Sequence, residues 1–148
     1  MLPLLRVTRK LARMGRDRRR LLFQAAILSV TTRLLLRPLS LTSLRTFLEH
    51  VTKQVVPGGY SAEEDEIVRA LSTVNRRLGG TCLTNALAAQ ALLARYGYPS
   101  TLRIGASRQN GGFTAHAWVE RNGYVVIGGP ASVVAQYSPF PDLGGLSS

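Results

Sequence analysis

The 148-residue sequence predicts an α+β fold in which a central apolar helix packs on a small antiparallel sheet, with further helices ahead of it. Three observations carry that prediction. Up to Gly97 the apolar residues recur at helical spacing, and after Pro99 they alternate. Between two alternating runs stands Asn122-Gly123, the strongest short signal for a β-hairpin. The length suits a single domain overall, divided here into a basic helical arm over 1–56, packed on the core, and a core over 57–148.

In order along the chain, "RRRLLFQAAILSVTTRLLLRPLS" is apolar on nearly every face between Leu21 and Leu36, as expected of a helix packed on several sides. Pro38 ends or kinks it. A second helix is predicted from Thr42 to about Gln54, with Leu44, Phe47, Leu48 and Val51 as its apolar stripe, and "PGGY" (57–60) breaks the chain. Over 61–80 the signals of a third helix agree with one another. Ser61 and Glu64 have the spacing of a capping box, the acids Glu63 to Glu66 sit at the positive helix end, and Ile67, Leu71, Val74 and Leu78 make one apolar face. Gly79 stops this helix.

Thr81 then has the side chain and position of an N-cap, opening "CLTNALAAQALLARY", with Gly97 at the residue past its end. This helix is apolar around most of its circumference and is the central buried one. "STLRIGAS" follows as a strand, "RQNGG" as a turn, "FTAHAWVER" as a second strand and "YVVIGG" as a third. The tail from Pro130 has little pattern and reads as an ordered loop followed by a frayed end.

Charge is concentrated at one end. Residues 1–53 hold 12 Arg and Lys against Asp17 and Glu49, whereas 54–148 hold seven against six acids. A basic arm on a near-neutral body points to a local docking surface for an acidic peptide, a protein or a membrane face. Arg16, Arg18, Arg19 and Arg20 could hold phosphates, but no groove-reading motif or aromatic stacking set accompanies them, so nucleic acid is an unfavoured partner. The uncharged run 21–32 is about twelve residues, where a spanning helix needs about 20. No secretory cleavage pattern follows it. A single cysteine forms no internal disulfide, and the expected location is cytoplasmic, with membrane association open through the arm. One Cys and two separated His make no metal site, and no phosphate-binding loop is present, so no cofactor is expected.

The chemistry rests on Cys82 and His116. A free cysteine is most often a small buried hydrophobe. Cys82, however, falls in the first turn of a helix, where unpaired N–H groups and about half a positive charge stabilise a thiolate and can receive an oxyanion. His50 lies in the basic arm beside Glu49 and reads as a surface residue. On the second strand, alternation puts Phe113, Ala115, Ala117 and Val119 on one face and Thr114, His116, Trp118 and Glu120 on the other. A lone strand histidine is more often structural, but a Cys at a helix start followed by a His on a later strand is the chain order in which nucleophile and base come from separate elements.

Taken together, Cys82-Leu83, the Leu- and Ala-rich helix, Gly97, Leu102 to Gly105 and Ala115 to Glu120 ("AHAWVE") resemble the short leader-peptidase form of the lasso-peptide biosynthesis B protein family, which has a transglutaminase-like, papain-like core. The match is close over roughly 60–130. The resemblance implies a bacterial cysteine peptidase that removes the leader from a ribosomally made precursor peptide, with Cys82 as nucleophile and His116 as general base and acid. It implies as partners the precursor peptide, a small leader-recognition protein and an ATP-dependent macrolactam cyclase. Family members carry an acid on the strand after the histidine, and this sequence departs from that. With a two-residue turn at Asn122-Gly123, Trp118 pairs with Ile127 and His116 falls opposite Gly129. Asp142 is the residue assigned as third catalytic member, returning from the tail, with Asn85, Gln90 or a backbone carbonyl on Nδ1–H as alternatives. Glu120 lies four residues from His116, about 13 Å at strand rise. Two other functions stay open from the residues alone: a non-catalytic binding or adaptor module whose basic arm is the working part, and a catalytically inactive transglutaminase fold.

Overall fold

A computed structural model describes residues 15–38, 40, 42–43, 46–47, 50 and 62–141. The break at 57–60, Ser61, Asp142 and the end of the tail lie outside the described residues. Helix α1 (Arg16–Leu35), α2 (Glu64–Leu78) and α3 (Cys82–Arg95) precede β1 (Thr101–Gln109), β2 (Gly112–Arg121) and β3 (Tyr124–Ile127). A short helix α4 (Ala131–Val134) and a two-residue strand β4 (Ser138–Pro139) complete the order. The sheet is antiparallel with strand order β3-β2-β1-β4, so the predicted three strands become four.

α3 is the central helix. Ala86 to Leu93 are all buried, and they share one core with Leu21, Ala25 and Leu28 of α1, Ile67, Leu71 and Val74 of α2, and Ala117, Val119 and Ile127 of the sheet. Both ends of α3 form as the residues require. The Thr84 N–H donates to Thr81 Oγ1 at 3.2 Å, and at the far end Gly97, at φ +82°, lets the Tyr98 N–H reach Leu93 O at 2.9 Å. Within the core, the Gln90 amide is satisfied by Ser100 O at 3.1 Å.

Several boundaries move. α1 starts at Arg16, a turn or more before the apolar run, and ends at Leu35, ahead of Pro38. Among the predicted residues of the next helix, 42, 43, 46, 47 and 50 are helical, and Phe47 is exposed. The cap of α2 is Glu63 and not Ser61. Ala62 is buried and its carbonyl accepts from Tyr98 Oη, which holds it outside the helix, and the Glu66 carboxylate reaches back to the Glu63 N–H at 3.1 Å. In the sheet, the first turn shrinks to Asn110-Gly111, so β1 runs on to Gln109 and β2 begins at Gly112. Both Asn-Gly pairs have positive φ at each residue, the conformation that matches the twist of a two-residue hairpin.

Candidate functional site

Cys82 is the first residue of α3, half-buried against the core. Thr81 uses Oγ1 for the Thr84 N–H and its carbonyl for the Asn85 N–H. Among the described residues this leaves the N–H groups of Cys82 and Leu83 without an acceptor, aimed past the helix end. Gly79 has nothing near it, but a Cβ on Gly80 would lie 2.8 Å from Asn85 Oδ1, so Asn85 packs against Gly80.

His116 is held by β2. Its Nε2 lies 2.6 Å from Gly128 O, and since a carbonyl only accepts, Nε2 carries the proton in this bond, which leaves the Nδ1 lone pair open in the neutral ring. The ring stacks on Trp118 at 6.1 Å between centroids, and the Tyr137 ring lies 5.0 Å away on the segment after α4.

The carbonyl that holds the imidazole exists because β3 is out of the predicted register. Arg121 pairs with Tyr124 as expected, but a bulge between Val119 and Glu120 places Ile127 opposite Val119 instead of Trp118. The next residue, Gly128, then presses on Trp118. A Cβ there would lie 2.4 Å from Trp118 Cβ and 2.8 Å from Trp118 Cα, and the residue takes φ +120°. Only glycine fits that approach, and the strained turn directs the carbonyl to His116.

Two of the side-chain candidates for the third group lie among the described residues and one does not. Gln90 is committed to Ser100, Asn85 packs on Gly80, and Asp142 lies outside the described residues. The carbonyl alternative is realised, on Nε2 and not on Nδ1. Glu120 does not touch His116. It accepts from Trp118 Nε1 at 2.8 Å and from Arg103 Nε at 3.3 Å, and so supports the indole on which the imidazole stacks. The ion pair is about one-third exposed on both sides and contributes little, whereas an indole N–H left without an acceptor beside a 2 % exposed Trp118 costs about 1–3 kcal/mol. Glu120→Ala is therefore expected to lower stability by about 2 kcal/mol in urea unfolding, and Glu120→Gln, which keeps an acceptor oxygen, by less than about 1 kcal/mol. Equal losses would assign the stabilisation to charge.

The structure brings Cys82 and His116 onto packed elements, since α3 lies against β2 through Ala117 and Val119. His116, Trp118 and Glu120 alternate with these onto the other face, and no hydrogen bond joins the thiol to the imidazole. Among the described residues no group of His, Cys, Asp and Glu is placed to hold a metal ion.

The fold is an α+β scaffold with a cysteine at the start of its central helix and a carbonyl-held histidine on an inner strand of the antiparallel sheet. The chain belongs to the transglutaminase-like superfamily, whose family model matches residues 5–141, and which includes cysteine peptidases. Neither the curated proteins nor the solved structures gave a match.

Proposed function

We propose that the chain is a cysteine peptidase that removes the leader from a lasso-peptide precursor. The observation that supports this most directly is the His116 hydrogen bond: with Nε2–H on Gly128 O, the imidazole is fixed in the tautomer whose Nδ1 can take a thiol proton. The motif "AHAWVE" and the Cys-Leu helix start, within a chain of the transglutaminase-like superfamily, supply the substrate class by resemblance.

In this reading Nδ1 of His116 takes the proton of Cys82. The thiolate sulfur attacks the scissile carbonyl carbon, and the oxyanion meets the free N–H groups of Cys82 and Leu83. The imidazolium returns its proton to the departing amine as the C–N bond breaks, and water hydrolyses the thioester to release the leader's carboxylate and restore the thiol. Because His116 lies on the sheet face opposite the one α3 covers and shares no hydrogen bond with Cys82, the reading requires the substrate complex to bring Sγ and Nδ1 within reach around the start of α3.

The leader is proposed to arrive with a separate recognition protein and to extend along the sheet edge by strand addition. The β1 edge is already covered at Gly105 and Ala106 by β4, with the Phe140 N–H on Ile104 O at 2.8 Å, which leaves β3 as the edge for that role. The core peptide would then pass to an ATP-dependent macrolactam cyclase.

Two measurements test the reading. Iodoacetamide alkylation of Cys82 at neutral pH is expected to slow at least about tenfold in His116→Ala, as the thiolate loses its proton acceptor. Cleavage of the precursor is expected to depend on the recognition protein. An alkylation rate indifferent to His116 would remove the base from the mechanism, and cleavage unchanged by the recognition protein would remove the delivery step.

A further inference from the structure

Helix α1 has two apolar faces, and the fold uses one of them. Leu21, Ala25, Leu28 and Thr32 point into the core. Phe23, Ile27, Val30 and Leu34 follow the same i, i+4, i+7, i+11 spacing on the opposite side and are 66 %, 47 %, 44 % and 64 % exposed. The stripe runs about 17 Å along the helix.

Cations continue the stripe. Arg20, Arg19 and Arg16 stand three, four and seven residues before Phe23, on the same side, and all are exposed; Arg37 is exposed three residues after Leu34. Arg6, Arg9, Lys10 and Arg13 precede them in sequence, so the first 20 residues hold eight cations against Asp17 alone.

We propose that this face of α1 docks on an anionic membrane surface, with the helix lying in the interface plane. Phe23, Ile27, Val30 and Leu34 enter the acyl boundary, and the arginines at the end of the stripe meet lipid phosphates. Among the described residues no helix is long and apolar enough to cross a membrane, so the contact is peripheral. The charge pattern selects this occupant. In a second copy the stripe would bring one arginine cluster against another or against Arg37, with no acid on the face to offset it. Nucleic acid would engage the arginines but leave four bulky apolar side chains in water. An anionic bilayer takes both halves of the face.

The test uses the full chain sedimented with vesicles. Binding is expected to phosphatidylglycerol–phosphatidylcholine vesicles and not to phosphatidylcholine alone, and it weakens as salt is added. The double variant Arg19→Gln, Arg20→Gln is expected to bind about 25-fold more weakly, at about fivefold per charge. Phe23→Ser with Leu34→Ser is expected to abolish vesicle binding while the far-UV circular dichroism stays unchanged, because both side chains are exposed. The proposal is overturned by an absence of binding to the anionic vesicles, by binding that survives the serine variant, or by a stripe-dependent dimer in sedimentation velocity.

Discussion

Replacing Cys82 with alanine is expected to abolish precursor cleavage, by a factor on the order of 10⁴ or more, while leaving the fold in place. The sulfur is the atom that bonds to the scissile carbon, and no other cysteine in the chain can substitute for it. The side chain is only half-buried, so removing one sulfur changes stability by less than about 1 kcal/mol. The two readouts therefore separate: turnover of the precursor, followed by mass spectrometry, falls to background, while the thermal unfolding midpoint stays within a few degrees. Retained cleavage would sink the thiol mechanism. A collapse of the melting transition would instead assign Cys82 to packing, the bland reading of a helix-start cysteine.

Gly128→Ala is expected to damage both stability and activity. The new methyl would lie 2.4 Å from Trp118 Cβ and 2.8 Å from Trp118 Cα, atoms fixed to an inner strand of the sheet, at a φ of +120° that an L side chain rarely adopts. The backbone must shift, at a cost of about 3 kcal/mol from overpacking and strain. The melting temperature should drop by about 10 °C. The same shift draws Gly128 O away from His116 Nε2, so the remaining folded protein loses the tautomer and is expected to cleave at least about 100-fold more slowly. Gly129→Ala makes the comparison, since its φ is +106° but its nearest neighbour is Val133 at 3.9 Å. It carries the conformational strain alone and should lose about 1–2 kcal/mol. Equal losses in the two variants would show that contact with Trp118 is not the cause.

The parts of the fold legible in the sequence are those set by neighbours in the chain. Thr81 caps α3 because its hydroxyl reaches a backbone N–H three residues on, and Gly97 ends the helix because it takes positive φ. Asn122-Gly123 turns the hairpin for the same local reason. Spacing alone does not separate Ser61 from Glu63 as the cap of α2, because both precede an acid by three residues. The choice fell to Tyr98, far along the chain, whose hydroxyl holds Ala62 out of the helix. β4 leaves no signal in the sequence because two residues carry no period. The second apolar face of α1, expected from its composition to be buried, is exposed, since composition reports that a face is apolar and not whether anything covers it.

The candidate site divides along the same line. Cys82 at a helix start and His116 on a strand face follow from caps and alternation, both local properties of the chain. What holds His116 does not. Counting back from the turn sets it opposite Gly129, but a bulge one residue deep changes the register and bends the Gly128 carbonyl onto Nε2. The bulge adds one residue to β3, setting Val119 and Ile127 together in the core and Gly128 against Trp118 on the other side. By itself the sequence determined the order of the main helices and strands, the cap of α3, the turn at Asn122-Gly123 and which residues could react. The tertiary structure alone decided the register of β3, the group that steadies the imidazole and the face of α1 left to solvent, because each depends on contacts between segments distant in the chain.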